Sequence, residues 1–567
     1  MENRLANPHE WLRIATWAAV CWIVLLWKLG APALMDPDEA HYAQLTREML
    51  RAGNWMIPLL DGLPYIDKPV LFHWLQGLAI AVLGETESAL RLPSAMAAIA
   101  LFWTTRWTGE QLFDERIGVR GWLMLATLPM TFMLGSIGVF DMVFTAFLFG
   151  AIAFALVAAL RNRPRLQYVS YVLLSLAVMT KGPVALALAG VFFLAGLACG
   201  RECRTALLSL RWVTGAVLTV LLSLPWFVWM YYALGWHFVH QYALAGNLYY
   251  LTQPQSFSNR AFNHTLYVST FFAGFFPWSI LVLGGALYTI RRWRARIKIP
   301  PEEILLWAWV GVVFVFFSIA RFKVDRYVYP AAPACCLLAA RAWISISIFR
   351  PDLATARDNI FARWSVTTLG LVLVAVGVVS GLSLFDLGLD LPRAAVLIPI
   401  SLAAGGLVLE ATILRRRAVS PGVFGVVLVM LLVIYACVLA IGLPVLERAR
   451  PTEAVADSLR PKLAADDQVA LYRLEKWRFS LRYYLERPLG RLQDPADVRK
   501  FLTNKGDYIL MLDEDFARLR KDGINLRAVS ERPAVTGTTG KGLRRQTWGA
   551  LVVATSDDTP RTTETPR

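Results

Sequence analysis

The stretch MDPDEAHYAQLTREMLRAGNW, residues 35–55, places acids at 36, 38 and 39 directly after the first apolar run of the chain. A second polar unit follows in PYIDKPVLFHW, with Tyr65, Asp67 and Lys68, and a lone acid, Asp141, sits between two apolar runs that almost meet. Carboxylates at such places are costly unless used or paired. One can act as a general base and another can hold hydroxyl groups. Lys68, Lys181, Arg321, Lys323 and Arg326 fall in connections otherwise poor in basic residues. Together they suit an anionic ligand, and a lipid-borne phosphate held by charge-assisted hydrogen bonds fits them well. The plain alternatives are local. Asp38 and Glu39 would be an N-cap and a first-turn acid of a helix begun by Ala40, Ala43 and Leu45, and each cation would snorkel or pair with a neighbouring acid.

The elements that position these residues are apolar. Of 567 residues 57% are hydrophobic and 17% are charged, which indicates a polytopic α-helical membrane protein. The formal charge of +16 comes from basic clusters in short connections; this is topology information and implies no nucleic-acid partner. The six cysteines lie in or beside apolar runs and include no Cys-x-x-Cys, so neither a disulfide framework nor a metal cluster is expected. About thirteen segments, from 12–34 to 418–445, are long enough to cross the hydrocarbon at roughly 20 residues each. Among them are 89–107, 119–140, 265–290 and 327–345. Ala31-Pro32-Ala33 resembles a cleavage site, but the run before it is long enough to serve as an uncleaved anchor.

Alternate connections carry RNRPR (161–165), RECR (201–204), RRWRARIK (291–298), Arg350/Arg357/Arg363 and RRR (415–417). These belong in the cytoplasm. The connections that hold Asp38, Asp141, Lys181, the loop 236–264 and 321–326 then face outward, with the amino terminus inside. The segment 70–84 is apolar but short and contains His73 and Gln76. Counting it as a span would export the arginine-rich loops, so it reads as an interfacial helix. Residues 1–445 thus form a membrane domain with a first outer loop at 35–88. From 446 the pattern changes to the short strands QVALYR, DYILMLD and ALVVAT and the helices DPADVRKFLTN and EDFARLRKDG. This predicts an extracytoplasmic α/β domain over 446–556 and a disordered tail over 557–567.

Taken together, residues 36–84, RLPSA (91–95), Asp141, TKGP (180–183) and KVDRYVYP (323–330) resemble the superfamily of aminoarabinose (lipid A) transferases and protein O-mannosyltransferases. The resemblance runs over most of the chain. It implies the GT-C glycosyltransferase fold and a polyprenyl-phosphate-linked sugar as donor. Carried over residue by residue, it makes Asp38 and Asp141 the catalytic-centre acids and Lys68 a contact of the donor phosphate; Arg321 and Lys323, from the outward basic set, would stabilise charge on the same phosphate. Glu39, His41, Tyr42, Tyr65, Asp67, Lys181, His264 and Tyr327 become substrate-lining positions. Two residues depart from the family pattern: His41 stands where arginine is usual, and Asp67 where glutamate is usual. The resemblance fixes no cofactor. A divalent metal stays open, with Asp67 and His264 as its candidate ligands.

The expected activity is transfer of a sugar from a polyprenyl phosphate to a lipid or protein acceptor at the outer surface of the cytoplasmic (inner) membrane. Membrane lipids are the surrounding partners. The competing reading is a lipid or solute transporter. Transporters hold ionisable groups near the bilayer midplane, whereas the segments here are nearly free of charge.

Overall fold

The structure, a computed structural model, describes residues 8–242, 265–347, 358–384, 391–416, 421–502, 507–539 and 545–557. Among these, six helices are long and apolar enough to cross a membrane: Phe140–Leu160, Trp212–Leu234, Pro301–Ile319, Trp364–Ser383, Arg393–Thr412 and Gly422–Ala449. Two bent pairs raise the count to eight, below the thirteen expected. Part of the shortfall is length, since Leu166–Lys181 and Val184–Ala198 are apolar but only 16 and 15 residues long, and part lies in breaks that hydropathy does not see. The run 119–140 is two helices, Glu115–Ala126 and Pro129–Ser136, meeting at 65°, and Pro129 has no N–H to continue the first of them. The run 265–290 is likewise broken, into Leu266–Gly274 and Ser279–Arg294 at 109°, with Pro277 in the break. The run 327–345 opens as a 3₁₀ turn, Asp325–Ala331, before the helix Ala332–Ser347.

The Phe140–Leu160 helix is apolar on every side, and Phe140, Phe144, Leu148, Phe149 and Leu156 are all buried. Such a helix has to sit in the middle of a bundle. Its first turn carries Asp141, so that carboxylate marks the end of the innermost helix.

The segment expected to lie at the interface forms the helix Leu71–Leu83. At 13 residues it reaches only about 20 Å, short of the hydrocarbon thickness. Its polar residues face protein: Thr46 Oγ1 lies 2.7 Å from both His73 Nδ1 and Gln76 Oε1, and Gln76 donates to the Leu90 carbonyl at 2.9 Å. These contacts fasten it to the helix Asp38–Arg51 and to the helix Glu87–Leu112.

The carboxyl-terminal unit is built on five strands, in the order Gly490–Leu492, Val469–Tyr472, Tyr508–Leu512, Arg545–Ser556, Leu526–Thr539. The first three are parallel and the last two antiparallel. Successive side chains alternate faces. Ala470, Tyr472, Ile509 and Met511 pack on one side, under Val498 and Leu519 of the helices Pro495–Phe501 and Asp513–Lys521. Val469, Leu471, Leu510, Leu551 and Val553 pack on the other side, and that core continues into Leu34, Ala40, Ala43 and Leu90 of the membrane part. The Asp38–Arg51 helix is consequently buried on nearly all sides, between the bundle and this α/β unit.

Hydrogen bonds complete the docking. Asp36 accepts the backbone N–H groups of Phe479 (2.8 Å) and Ser480 (3.0 Å) and the Ser480 hydroxyl. An acid at the start of the Arg478–Leu485 helix is where the helix dipole favours one. The Tyr484 hydroxyl accepts from the Leu34 N–H at 2.8 Å and donates to Glu87 at 3.0 Å. Arg482 reaches back to Glu48 at 2.9 Å and Asp61 at 2.5 Å.

Candidate active site

Four chain segments end at one place. Asp38 is the first residue of the Asp38–Arg51 helix and Asp141 lies in the first turn of the Phe140–Leu160 helix. Lys181 is the last residue of the Leu166–Lys181 helix, which Gly182 terminates at φ +82°, a conformation that favours glycine. Arg326 comes from the Asp325–Ala331 turn. The side chains form one ion network: Lys181 Nζ lies 2.5 Å from Asp141 Oδ1, Arg326 Nε lies 2.8 Å from Asp141 Oδ2, and Arg326 Nη2 contacts Asp38 Oδ2. Asp141 and Lys181 are buried, while Asp38 keeps a third of its side chain exposed. Two carboxylates face two cations, so the network is neutral, and its open edge is Asp38. Burial works against the Arg326 charge, but Asp141 and Asp38 outweigh it and hold its pKa above the ordinary value.

Asp38 is not a cap. The cap position is Pro37, and the Asp38 carboxylate turns to Arg326 instead of to its own helix.

A small cleft adjoins the network, lined by Tyr42, Tyr65, Asp67, Lys68, His73 and Phe140 among others. Tyr42 packs at a tilt against Phe140, with ring centroids 4.3 Å apart. Burial, then the charges of Asp38 and Asp67, push the Tyr42 hydroxyl well above its usual pKa, so it stays a neutral phenol. Lys68 Nζ pairs with Asp67 Oδ1 at 2.9 Å. Tyr327 lies under the Lys181 ammonium at 4.4 Å, a cation–π contact.

Several expected site residues are placed differently. Glu39 was expected to line the substrate site. It is 1% exposed, and both its oxygens are committed: to Arg91 at 2.7 and 3.1 Å, and to the N–H groups of Met35 and Gly138, each at 2.7 Å. It ties the start of the Asp38 helix to the turn before Asp141. Lys323 was expected at the donor phosphate. Its ammonium instead donates to the Ser318 and Ala320 carbonyls, each at 2.6 Å, and so caps the Pro301–Ile319 helix. Arg321 is exposed and forms no ion pair among the described residues. His264 lies outside the described residues. Among those described no three His, Cys, Asp or Glu side chains gather as metal ligands. Asp67, the other candidate ligand, pairs with Lys68 at 2.9 Å.

His41 is enclosed by rings: Tyr65 at 4.7 Å and Phe479, from the α/β unit, at 4.9 Å. Neither ring nitrogen has a hydrogen-bond partner, and burial pulls its pKa down to about 4 against the opposing pull of Asp38 and Asp67. It is therefore neutral at pH 7 and does not replace the missing arginine. Between pH 4 and the ordinary histidine value near 6.5 the unfolded chain binds the proton that the folded one refuses. Stability should accordingly fall on acidification through that window, by about 3 kcal/mol in total. The midpoint of thermal unfolding at pH 7 and pH 5 measures the effect, and His41→Phe should abolish this component of the pH dependence.

The sequence groups Arg326 with the outward cations that suit an anionic ligand, but sets Arg321 and Lys323, not Arg326, at the donor phosphate. Three cations fall within six residues at 321–326, and nothing in their spacing says which one turns inward. The geometry separates them. Arg326→Gln should lower transfer by about 10²-fold, the usual cost of losing one donor at a developing anion. Lys323→Met should leave the Michaelis constant for the donor within about threefold and lower the unfolding temperature instead, because it uncaps a helix end. Steady-state kinetics on both variants decides between them.

Residues 67–229 match the family described as dolichyl-phosphate-mannose-protein mannosyltransferase. The undecaprenyl phosphate-alpha-4-amino-4-deoxy-L-arabinose arabinosyl transferase 1 of Sodalis glossinidius is 29% identical over 380 residues, 64% of each chain. The corresponding transferase of Pectobacterium carotovorum is 31% identical over 342 residues, 57% of each chain. The chain is similar in sequence to the aminoarabinose transferases. The match spans just under two thirds of the Sodalis protein. The fold likeness is wider: the crystal structure of ArnT from Cupriavidus metallidurans bound to undecaprenyl phosphate superposes with a TM-score of 0.71 at 20% identity, covering 98% of this chain and 100% of that one. The α/β unit and the helical part thus share one fold with that structure.

Proposed function

We propose that this chain is an integral-membrane glycosyltransferase that moves a sugar from a polyprenyl phosphate to a lipid or protein acceptor. The observation that carries the reading is the Asp38–Arg326–Asp141–Lys181 network, gathered where helices end and beside a cleft bearing Lys68. In the reaction the bond from the anomeric carbon to the phosphate oxygen breaks, and its electron pair leaves with the phosphate. An acceptor oxygen forms the new bond. Lys68 and Arg326 stand where they can stabilise the departing phosphate. For a hydroxyl acceptor Asp38 takes the proton; a phosphate acceptor is already anionic, and Asp38 would then orient it. Asp141, held by two cations, positions Arg326 and the sugar hydroxyls.

Sidedness supports the outer face of the inner membrane. The basic connections meet at the other ends of the helices, where Arg161 pairs with Glu302 at 3.2 Å and Lys298 with Glu202 at 2.5 Å. Basic connections mark the cytoplasmic side, which supports reading the ion network and the α/β unit as lying outside. A transporter would need such charges near mid-membrane.

The test is transfer in membranes from a pool of polyprenyl-phosphate sugars that includes the aminoarabinose donor, with products read by mass spectrometry. The reading requires a sugar adduct that disappears in Lys68→Ala. A folded, stable protein that forms no adduct with any donor would overturn it.

A further inference from the structure

A second charged cluster lies at the opposite end of the bundle from the site. Glu303 opens the Pro301–Ile319 helix, whose far end Lys323 caps. The 19 residues between put about 28 Å between the two ends. Glu303 is 2% exposed. Its Oε1 accepts from Thr289 at 2.6 Å. Its Oε2 alone meets two guanidinium groups, Arg292 at 3.0 Å and Arg341 at 2.9 Å.

One carboxylate cannot neutralise two arginines. Both cations reach the same oxygen, so their nitrogens are close enough to repel strongly in a half-buried site. The neighbouring acids are taken elsewhere: Glu302 by Arg161 and Glu202 by Lys298. Among the described residues a net charge of +1 therefore remains, beside a small cleft that Thr289, Glu303, Trp307 and Arg341 help to line. The rim is amphipathic. Leu287, Ile290, Trp293 and Ile297 are largely exposed on the segment that also bears Arg291 and Arg294, as expected where acyl chains lie below a polar headgroup.

We infer that Arg292 and Arg341 bind a phosphate anion, and that the phosphate is the headgroup of an anionic phospholipid. Basic pockets between helices on the cytoplasmic side recognise lipid phosphates in this manner. Arg341 supplies the unneutralised charge. Glu303 positions both guanidiniums and does not itself touch the ligand.

The experiment is native mass spectrometry of the full-length protein in detergent, titrated with phosphatidylglycerol, with phosphatidylcholine of equal chain length, and with inorganic phosphate. Phosphatidylglycerol should bind at least tenfold more tightly than phosphatidylcholine. Arg341→Gln should remove that preference, Arg341→Lys should restore much of it, and Glu303→Gln, which leaves both guanidiniums, should retain it. Equal binding of the two lipids by the wild-type protein, a result that needs no variant to fold, would overturn the inference. So would an unchanged preference in Arg341→Gln. Inorganic phosphate that binds and is not displaced by phosphatidylglycerol would overturn the lipid assignment.

Discussion

Asp38→Asn slows transfer to a hydroxyl acceptor by about 10²–10⁴-fold, the range that a positioned general base contributes. Three features make this the largest catalytic effect expected. Asp38 is the exposed edge of the ion network, so an acceptor can reach it. Its Arg326 partner holds the carboxylate in place at that edge. The variant leaves the fold in place, because Asp141 still holds Arg326 at 2.8 Å. Single-turnover transfer with a saturating donor is the measurement, paired with thermal unfolding to show that the protein is intact. A loss of less than about threefold would exclude Asp38 as base and point to an acceptor that arrives already ionised.

The largest effect on stability belongs to Glu39. Removing one member of a buried pair leaves its partner charged and desolvated, at a cost of about 3–5 kcal/mol. Glu39→Gln strands Arg91, which is 1% exposed, and weakens the acceptors of the Met35 and Gly138 N–H groups. The expected result is a large drop in folded protein recovered in detergent, with transfer lost in proportion. The double variant Glu39→Gln/Arg91→Met, which removes the uncompensated charge, should recover part of the stability. If the single variant melts like wild type, the pair is not the fastener described above.

The adjacency of Glu39 to Asp38 explains why the sequence misleads here. Two neighbouring acids at a loop–helix boundary look alike, yet they point about 100° apart on a helix. One faces the cleft edge and the other the core. Asp141 and Lys181 were easier to read, because a lone charge at the end of an apolar helix has few places to go. Their meeting at 2.5 Å follows from that placement. Arg326 could not be told from Arg321 and Lys323 without the turn that aims it inward. The helix breaks at Pro129 and Pro277 lie inside apolar runs, where hydropathy continues smoothly while the backbone bends. In the α/β unit the short apolar strands were legible. Leu526–Thr539 was not, because LRAVSERPAVTGTT is polar and contains proline; its pairing with Arg545–Ser556 makes it a strand. Phe479, which closes the ring of aromatics around His41, lies 438 positions away in the chain and left no local signal.

Asp36 and Asp38 are separated by one residue, and that residue is proline. The first carboxylate holds the α/β unit and the second holds Arg326. Proline fixes its own φ, so this tripeptide acts as a stiff splice and not as a slack tether. The α/β unit therefore cannot be prised away without displacing the reactive carboxylate. Nicking or truncating it would misalign the chemistry as well as remove a surface, and anything that grips the unit from outside has a short mechanical route to Asp38.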